Sequence, residues 1–289
     1  MTSQQPGAGG PTFDLVLATI GRTDEVDRFL ESLEAQSYKR FGVILVDQND
    51  DGRLKPILAR YSGAFPLVHE VSKAGLSRAR NVALRRLTAD LIAFPDDDCI
   101  YPPHLLAGVA DAFGEHPELD GMTGRTIDQS RRSSFLLWEK EPSLVMRKNV
   151  WRTAVATAIF LRRPVVERVG PFDESLGAGS GTEWGSGEET DYVLRALAAG
   201  FTIGYDPGIC VVHESPQPEA GPRSARKAYL TGMGNSRVLR KHGYPLWFAA
   251  YRVAQLVAGS TYFLARGRVG LGRFYWAMAR GRVVGWIRG

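Results

Sequence analysis

Leu91-Ile92-Ala93-Phe94-Pro95-Asp96-Asp97-Asp98-Cys99-Ile100-Tyr101-Pro102 is the stretch on which the reading of this chain turns. An apolar run of strand length gives way at Pro95 to three adjacent carboxylates. Such groups repel one another and raise each other's pKa unless something neutralises them. If the chain stays extended, Asp96 and Asp98 point to one side and Asp97 to the other. A hard cation, Mg²⁺ or Mn²⁺, shared between one or two carboxylates and the phosphates of a ligand would settle the arrangement. A solvated acidic turn is the plain alternative, but it leaves the neighbouring polar loops unexplained.

Those loops appear on working outward. Phe13–Ala18, Val43–Val46 and Leu67–Val71 also read as strands. Between the first two, Val26, Phe29, Leu30 and Leu33 of Asp24–Gln36 follow helical spacing. A further helix is predicted at about Ser77–Leu87. The alternation predicts an α/β fold, a mostly parallel sheet flanked by helices, with ligands at the carboxyl ends of the strands. Thr19-Ile20-Gly21-Arg22 follows the first strand and Asp47-Gln48-Asn49-Asp50-Asp51-Gly52 the second. Lys73, Gly75, Arg78, Arg80 and Asn81 follow the third. Cations in a first helical turn oppose the helix dipole. Arg78 and Arg80 are therefore expected to face an anion, either a diphosphate or the Asp run itself.

Further on, Val155–Leu161, Phe201–Tyr205 and Ile209–Val212 read as strands, and Glu188–Ala199 as a helix closed by Gly200. The five glycines of Gly177–Gly187 predict a mobile loop. Ser186 and Glu189 have capping-box spacing. The same acidic cluster could instead supply a general base. His213 follows a strand and is either structural or a ligand; His69, His104, His116 and His242 show no ligand spacing.

The 289 residues allow one large α/β domain plus an appendage. Met1–Pro11 is polar, lacks an apolar secretory core and is expected to be a disordered tail. Two cysteines, Cys99 and Cys210, supply neither a disulfide framework nor a cysteine zinc site, which suits a cytoplasmic enzyme. The net charge of +5 is unevenly distributed: residues 222–289 hold 13 Lys or Arg and no Asp or Glu, leaving 23 basic against 31 acidic before them. That asymmetry predicts a basic surface for an anionic partner.

Taken in order, the motifs resemble the inverting nucleotide-sugar glycosyltransferases of family two. The resemblance is carried by Thr19, Val46-Asp47-Gln48-Asn49, Gly75 to Asn81, and Ala93 to Asp98 with Tyr101-Pro102. Gly170-Pro171-Phe172-Asp173-Glu174, Gly187-Glu188-Glu189-Thr190-Asp191 and Val211-Val212-His213 complete it, over about residues 12–215. It implies a GT-A (Rossmann-like) domain at 12–221, with a nucleotide half at 12–100 and an acceptor half at 101–221. It implies a nucleotide-diphosphate sugar donor, hexosyl or deoxyhexosyl transfer, and a bound Mn²⁺ or Mg²⁺. Thr19 and Asp47 would contact base or ribose, Asp96 or Asp97 the ribose, and Arg22, Asn49, Gly75, Arg78, Arg80 and Asn81 other parts of the donor. Asp98 would hold the metal, with Asp96 and His213 as further ligands. Glu189 stands at the position of the usual base, one methylene longer than the common Asp, and Glu188 and Asp191 remain alternatives. Gln48 replaces a usual Asp.

The remaining 222–289 read as a basic amphipathic helical extension. The uncharged run Val253–Ala265 has 13 residues, short of the ~20 that span a bilayer. Arg266, Arg273 and Arg280 recur every seven residues, opposite Leu271, Phe274, Tyr275 and Met278, and Trp247, Trp276 and Trp286 favour interfaces. The pattern predicts a peripheral helix on an anionic membrane surface, on the cytoplasmic face, with a glycan or lipid-linked acceptor. Packing on the catalytic domain or a solvated face would give the same pattern, and Gly267, Gly270, Gly272 and Gly281 weaken the helix assignment. No nucleic-acid module is present. Rival functions are a sugar nucleotidyltransferase, for which Thr19 to Arg22 is too lean a phosphate loop, and an inactive scaffold homologue, which the intact acidic clusters disfavour.

Overall fold

The computed structural model describes residues 9–133, 138–213 and 222–289. They form two compact units, each considered by itself. The first contains Arg78–Pro171 with residues 9–74 and 192–213; the second contains Gly75–Ser77, Phe172–Asp191 and 222–289. Most of the expected N-terminal tail lies outside the described residues, but Pro11 is held, its carbonyl accepting from the Tyr38 hydroxyl at 2.6 Å.

The first unit opens with β1 (Phe13–Thr19), α1 (Asp24–Glu34), β2 (Phe41–Asp47), α2 (Lys55–Tyr61) and β3 (Leu67–Val71). Then come α3 (Leu76–Leu84, in this unit from Arg78) and β4 (Leu91–Ala93). After the Asp run lie β5 (Cys99–Ile100), α4 (Leu105–Glu115), β6 (Gly121–Ile127), β7 (Ser143–Leu144) and α5 (Val150–Thr153). β8 (Ile159–Arg162), α6 (Arg163–Val169), α7 (Glu188–Ala198, in this unit from Tyr192) and β9 (Ile203–His213) complete it. One sheet takes the order β3-β2-β1-β4-β8-β6-β9-β5, with β7 on β9. β3, β2, β1 and β4 are mutually parallel, and β8 runs against both β4 and β6.

Every residue of β1 is buried, so both sheet faces are covered. Phe13, Leu15 and Leu17 join Val43 and Leu45 and the α1 residues Val26, Phe29, Leu30 and Leu33 in one core. On the opposite face Asp14 is buried too, and its carboxylate accepts from the Thr88 and Ala89 amides at 2.6 and 2.9 Å.

The strands expected at Phe201–Tyr205 and Ile209–Val212 are one strand with an irregularity. Thr123 opposes Tyr205, but two residues on Arg125 opposes Cys210, so 206–209 bulges from the ladder. Pro207 lacks the N–H a regular ladder needs, and Gly124 admits the bulge: a Cβ there would lie 2.1 Å from the Ile209 carbonyl oxygen. β6 itself gave no apolar alternation because glycine and threonine occupy it. The buried Thr123 donates its hydroxyl to Thr153 O instead.

The second unit holds three helices of 20 residues each, α8 (Pro222–Lys241), α9 (Leu246–Ala265) and α10 (Val269–Arg288). Of the glycines that weakened the helix reading, Gly281 serves close packing of α8 on α10, together with Gly232 and Gly285, and Gly272 packs on α9. A Cβ at Gly232 would lie 2.2 Å from Met278 O, one at Gly281 2.0 Å from Tyr229 O, and one at Gly285 2.6 Å from Met233 O. The arginine heptad is interrupted. Arg266 caps α9, Gly267 turns with φ +71°, and only Arg273 and Arg280 share α10. Tyr275 packs on Phe263 with ring centroids 5.2 Å apart.

Two glycine substitutions should therefore have opposite signs. Gly281→Ala must force α8 and α10 apart and should cost about 1–3 kcal/mol. Gly108→Ala, in α4 with no atom within 4 Å of the new Cβ, should gain roughly 0.5–1 kcal/mol of helix propensity. Denaturant unfolding of the two variants beside the wild type checks both.

Candidate active site

β1 and β2 are in register through Thr19 and Asp47, so these two residues end adjacent parallel strands. The loops beyond them are tied together. Asp47 Oδ1 accepts from the Asn49 backbone and side-chain nitrogens at 2.8 and 2.7 Å. Asn49 Oδ1 in turn accepts from Gly21 N at 2.7 Å. The Gln48 amide and side chain both donate to Thr19 O. The position where Gln replaces the usual Asp thus fastens the first two loops. His69 of β3 lies 3.4 Å from Asp47 Oδ2, a neighbour that no sequence spacing signalled.

The Asp run turns at Asp97–Asp98 instead of remaining extended, Cys99 N donating to Asp96 O. Each carboxylate still finds its own partners. Thr19 donates to Asp97 Oδ2 at 2.6 Å, and Arg22 Nη1 bridges Asp97 Oδ1 and Asp98 Oδ2 at 2.5 and 2.7 Å. Asp98 Oδ1 meets His213 Nε2 at 3.1 Å. Asp96 Oδ1 lies 3.4 Å from Nη2 of Arg80, whose guanidinium is buried. The anion facing Arg80 is therefore the Asp run, one of the two alternatives its position raised. Arg78 donates back to Ala74 O. Asn81 lies partly buried in the same helix.

Strand pairing brings His213 to this point: β5 and β9 pair antiparallel with Cys99 opposite His213. The far side of the run is fixed by the buried Gln36, which donates to Tyr101 O and Pro102 O and accepts from Leu106 N.

The surroundings separate the three acids electrically. Burial pushes Asp96 up to about 6, against the pull of Arg80 and His213. Burial also raises Asp97, partly offset by Thr19 and Arg22. For Asp98 burial opposes ionisation, but the hydrogen bonds and charges of His213 and Arg22 prevail and hold it at about 2. Asp96, Asp98 and His213 each offer one ligand atom, all within 4.8 Å of one another. Two carboxylate oxygens and an imidazole nitrogen form a donor set that fits a divalent cation such as Mn²⁺.

The second unit holds the other acidic cluster. Its loop is fixed, contrary to the mobility its glycines suggested. Gly177 N donates to Trp184 O at 2.9 Å, Gly185 N to Leu230 O at 3.2 Å, and the Ser186 hydroxyl to Thr231 O at 2.9 Å. Arg237 lies over the Trp184 ring. Gly75, with φ +133°, leads into Leu76, whose amide donates to Ala178 O, and Ser77 donates to Leu176 O. Glu188 is buried beside Gly177. Asp191 is fully buried between Lys241 Nζ at 2.9 Å and His242 Nε2 at 2.8 Å, and Lys241 also meets Asp173 at 2.7 Å. Only Glu189 of the three candidate bases is partly exposed.

Comparison with known proteins agrees with this architecture. Residues 14–170, more than half of the chain, match the model of Glycosyl transferase family 2, and the chain belongs to that family. Glycosyltransferase AglE of Haloferax volcanii is 23% identical over 238 residues, 79% of this chain and 74% of that protein. The mannosyltransferase PcManGT of Pyrobaculum calidifontis, solved with GDP-Man and Mn²⁺, superposes with a TM-score of 0.61 at 18% identity. That match covers 98% of this chain and 89% of the other. S. aureus TarS 1–349 with UDP-GlcNAc gives 0.61 at 16% identity, covering 95% and 89%. At these identities the solved structures establish the GT-A-like fold.

The burial of Asp191 has a measurable consequence. Asp191→Asn removes the buried carboxylate that Lys241 and His242 both contact, leaving Lys241 to Asp173 alone, and should destabilise the protein by about 1–3 kcal/mol. Glu189→Gln should be near-neutral in the same denaturant titration. Equal stability of the two variants would contradict a structural role for Asp191.

Proposed function

From its membership of glycosyl transferase family 2, we propose that the chain moves a hexosyl or deoxyhexosyl group from a nucleoside diphosphate to an acceptor hydroxyl with inversion. The observation that carries the reading is the convergence of Asp96, Asp98 and His213 at the carboxyl end of the parallel strands. Structural neighbours solved with GDP-Man and UDP-GlcNAc support a nucleotide-sugar donor. We assign the donor half to 12–100, the acceptor half to 101–221 and the extension to 222–289.

Asp98, Asp96 and His213 would hold Mn²⁺ or Mg²⁺, which would supply positive charge to a departing diphosphate. The imidazole favours Mn²⁺, since Mg²⁺ prefers an all-oxygen shell. Thr19, Asp47 and Asn49 position the nucleoside, their loops being tied together by hydrogen bonds. Arg22 bridges Asp97 and Asp98 and can exchange one of them for a phosphate oxygen. Glu189 takes the proton from the acceptor hydroxyl, whose oxygen attacks the anomeric carbon opposite the leaving group. Its partial exposure beside the buried Glu188 and Asp191 supports that choice.

The acceptor is proposed to be a glycan or lipid-linked hydroxyl at an anionic membrane surface on the cytoplasmic side. Among the described residues no helix is long and apolar enough to cross a membrane. α9 nevertheless exposes Leu246, Trp247, Tyr251 and Tyr262, and α10 exposes Trp276 and Ile287, within a segment of 13 cations and no carboxylate. Exposed aromatics with unopposed positive charge suit a helix lying in an anionic interface.

Asp98→Asn should abolish transfer without rescue by added Mn²⁺, and excess EDTA should silence the wild type. Full turnover by metal-free protein contradicts the metal reading. Glu189→Gln should lower kcat by about 10²-fold or more while donor binding, followed by calorimetry, stays near normal. A large loss in Glu188→Gln with normal Glu189→Gln turnover moves the base to Glu188.

A further inference from the structure

The turn that carries Glu189 is held by α8, a helix that lies beyond the residues 14–170 matching the family model. Contact begins at Thr231, whose carbonyl accepts from the Ser186 hydroxyl at 2.9 Å. It continues at Gly234, where a Cβ would lie 2.2 Å from Ser186 O, and at Val238, which a Cβ on Gly187 would meet at 2.8 Å. It ends at Lys241 and His242, 2.9 and 2.8 Å from the buried Asp191 carboxylate. Thr231, Gly234, Val238 and Lys241 follow three- and four-residue spacing and so share one face of α8.

The way α8 ends places the two cationic side chains. Gly243, at φ +63°, donates its amide to Arg240 O, and the Tyr244 amide donates to Leu239 O. These are the paired bonds of a helix closed by glycine. Lys241 stands in the last turn, where the helix dipole favours a cation. Its ammonium also meets Asp173 at 2.7 Å, and thereby joins both ends of the 173–191 segment.

Asp191 and Glu189 are two residues apart, which is about 200° around a helix. Fixing Asp191 against α8 therefore sets the direction of Glu189 on the other side of the turn. A general base must lie within hydrogen-bond reach of the proton it takes. A small rotation of this turn can thus cost turnover while costing little stability.

We propose that Lys241 and His242 are positioning residues, holding Asp191 so that Glu189 meets the acceptor hydroxyl. By this proposal α8 belongs to the acceptor machinery and is not a separate appendage. The positioning role rests on Glu189 as the proposed base; the clamp on Asp191 does not.

The test uses the full-length protein with Lys241→Met, His242→Phe and His242→Gln. Hydrogen exchange of residues 184–191 reads the clamp without substrate. Lys241→Met and His242→Phe should speed it about tenfold, the change expected for a lost charged hydrogen bond. Turnover is followed as hydrolysis of UDP-, GDP- and dTDP-sugars with Mn²⁺, below the melting temperature of every variant. The same two variants should lower kcat by about tenfold to a hundredfold with the donor KM unchanged. His242→Gln, whose amide can donate to Asp191 in place of the imidazole, should restore both readouts. In a Glu189→Gln background His242→Phe should lower kcat no further, since residues acting as one unit are not additive. Wild-type exchange in Lys241→Met and His242→Phe overturns the clamp and leaves the transferase reading standing. Faster exchange with unchanged kcat, or an equal loss in both backgrounds, overturns the positioning role. A wild type that turns over none of these donors overturns the transferase reading and the positioning role together.

Discussion

Mutual repulsion among Asp96, Asp97 and Asp98 is the constraint around which the first unit is organised. Two unit charges 4 Å apart interact by about 4 kcal/mol at an effective dielectric of 20. An exposed ion pair returns about 0–1 kcal/mol. Surface pairing cannot settle three such charges, so each is given partners drawn from the fold. Asp97 is placed on Thr19 and Arg22, Asp98 on Arg22 and His213, and Asp96 on the buried Arg80. The partners in turn fix the architecture. Thr19 must end β1, Arg80 must lie in the helix after β3, and His213 must close β9 opposite Cys99. Even so Asp96 remains raised to about 6 by burial, the electrostatic mark of a cluster suited to a further cation.

Much of this frame was legible in the chain because parallel strands write their ends into local sequence. Each apolar run of the first 100 residues stops at the polar residues it delivers, so Thr19, Asp47 and the Asp run were found together. The partners were not legible. His213 is 115 residues from Asp98, and only the β5–β9 register brings them into contact. The same holds for His69 beside Asp47 and for Lys241 and His242 around Asp191. β6 escaped because buried threonines and glycines erase the alternation that marks a strand. The capping-box pattern at Ser186 concealed a different use, since that hydroxyl donates to Thr231 O in α8.

The helical extension carries the converse lesson. Composition announced its charge, while its glycines argued against helices. They permit three, because Gly232, Gly281 and Gly285 each remove a Cβ that would collide with a backbone carbonyl of the facing helix. Close packing of this kind puts small residues at the helix contacts and leaves Trp247, Tyr251, Trp276 and Ile287 outside. It also encloses Arg282, which is buried among the helices.

The claim on which the functional account depends is that Asp96, Asp98 and His213 hold one divalent cation in concert with a nucleoside diphosphate. Electron paramagnetic resonance of free Mn²⁺, titrated with full-length protein, measures this directly. The account predicts one Mn²⁺ bound per chain, with affinity that rises when UDP or GDP is present and that disappears in Asp98→Asn. A signal unchanged by wild-type protein with either nucleotide, or reduced equally by Asp98→Asn, would contradict it.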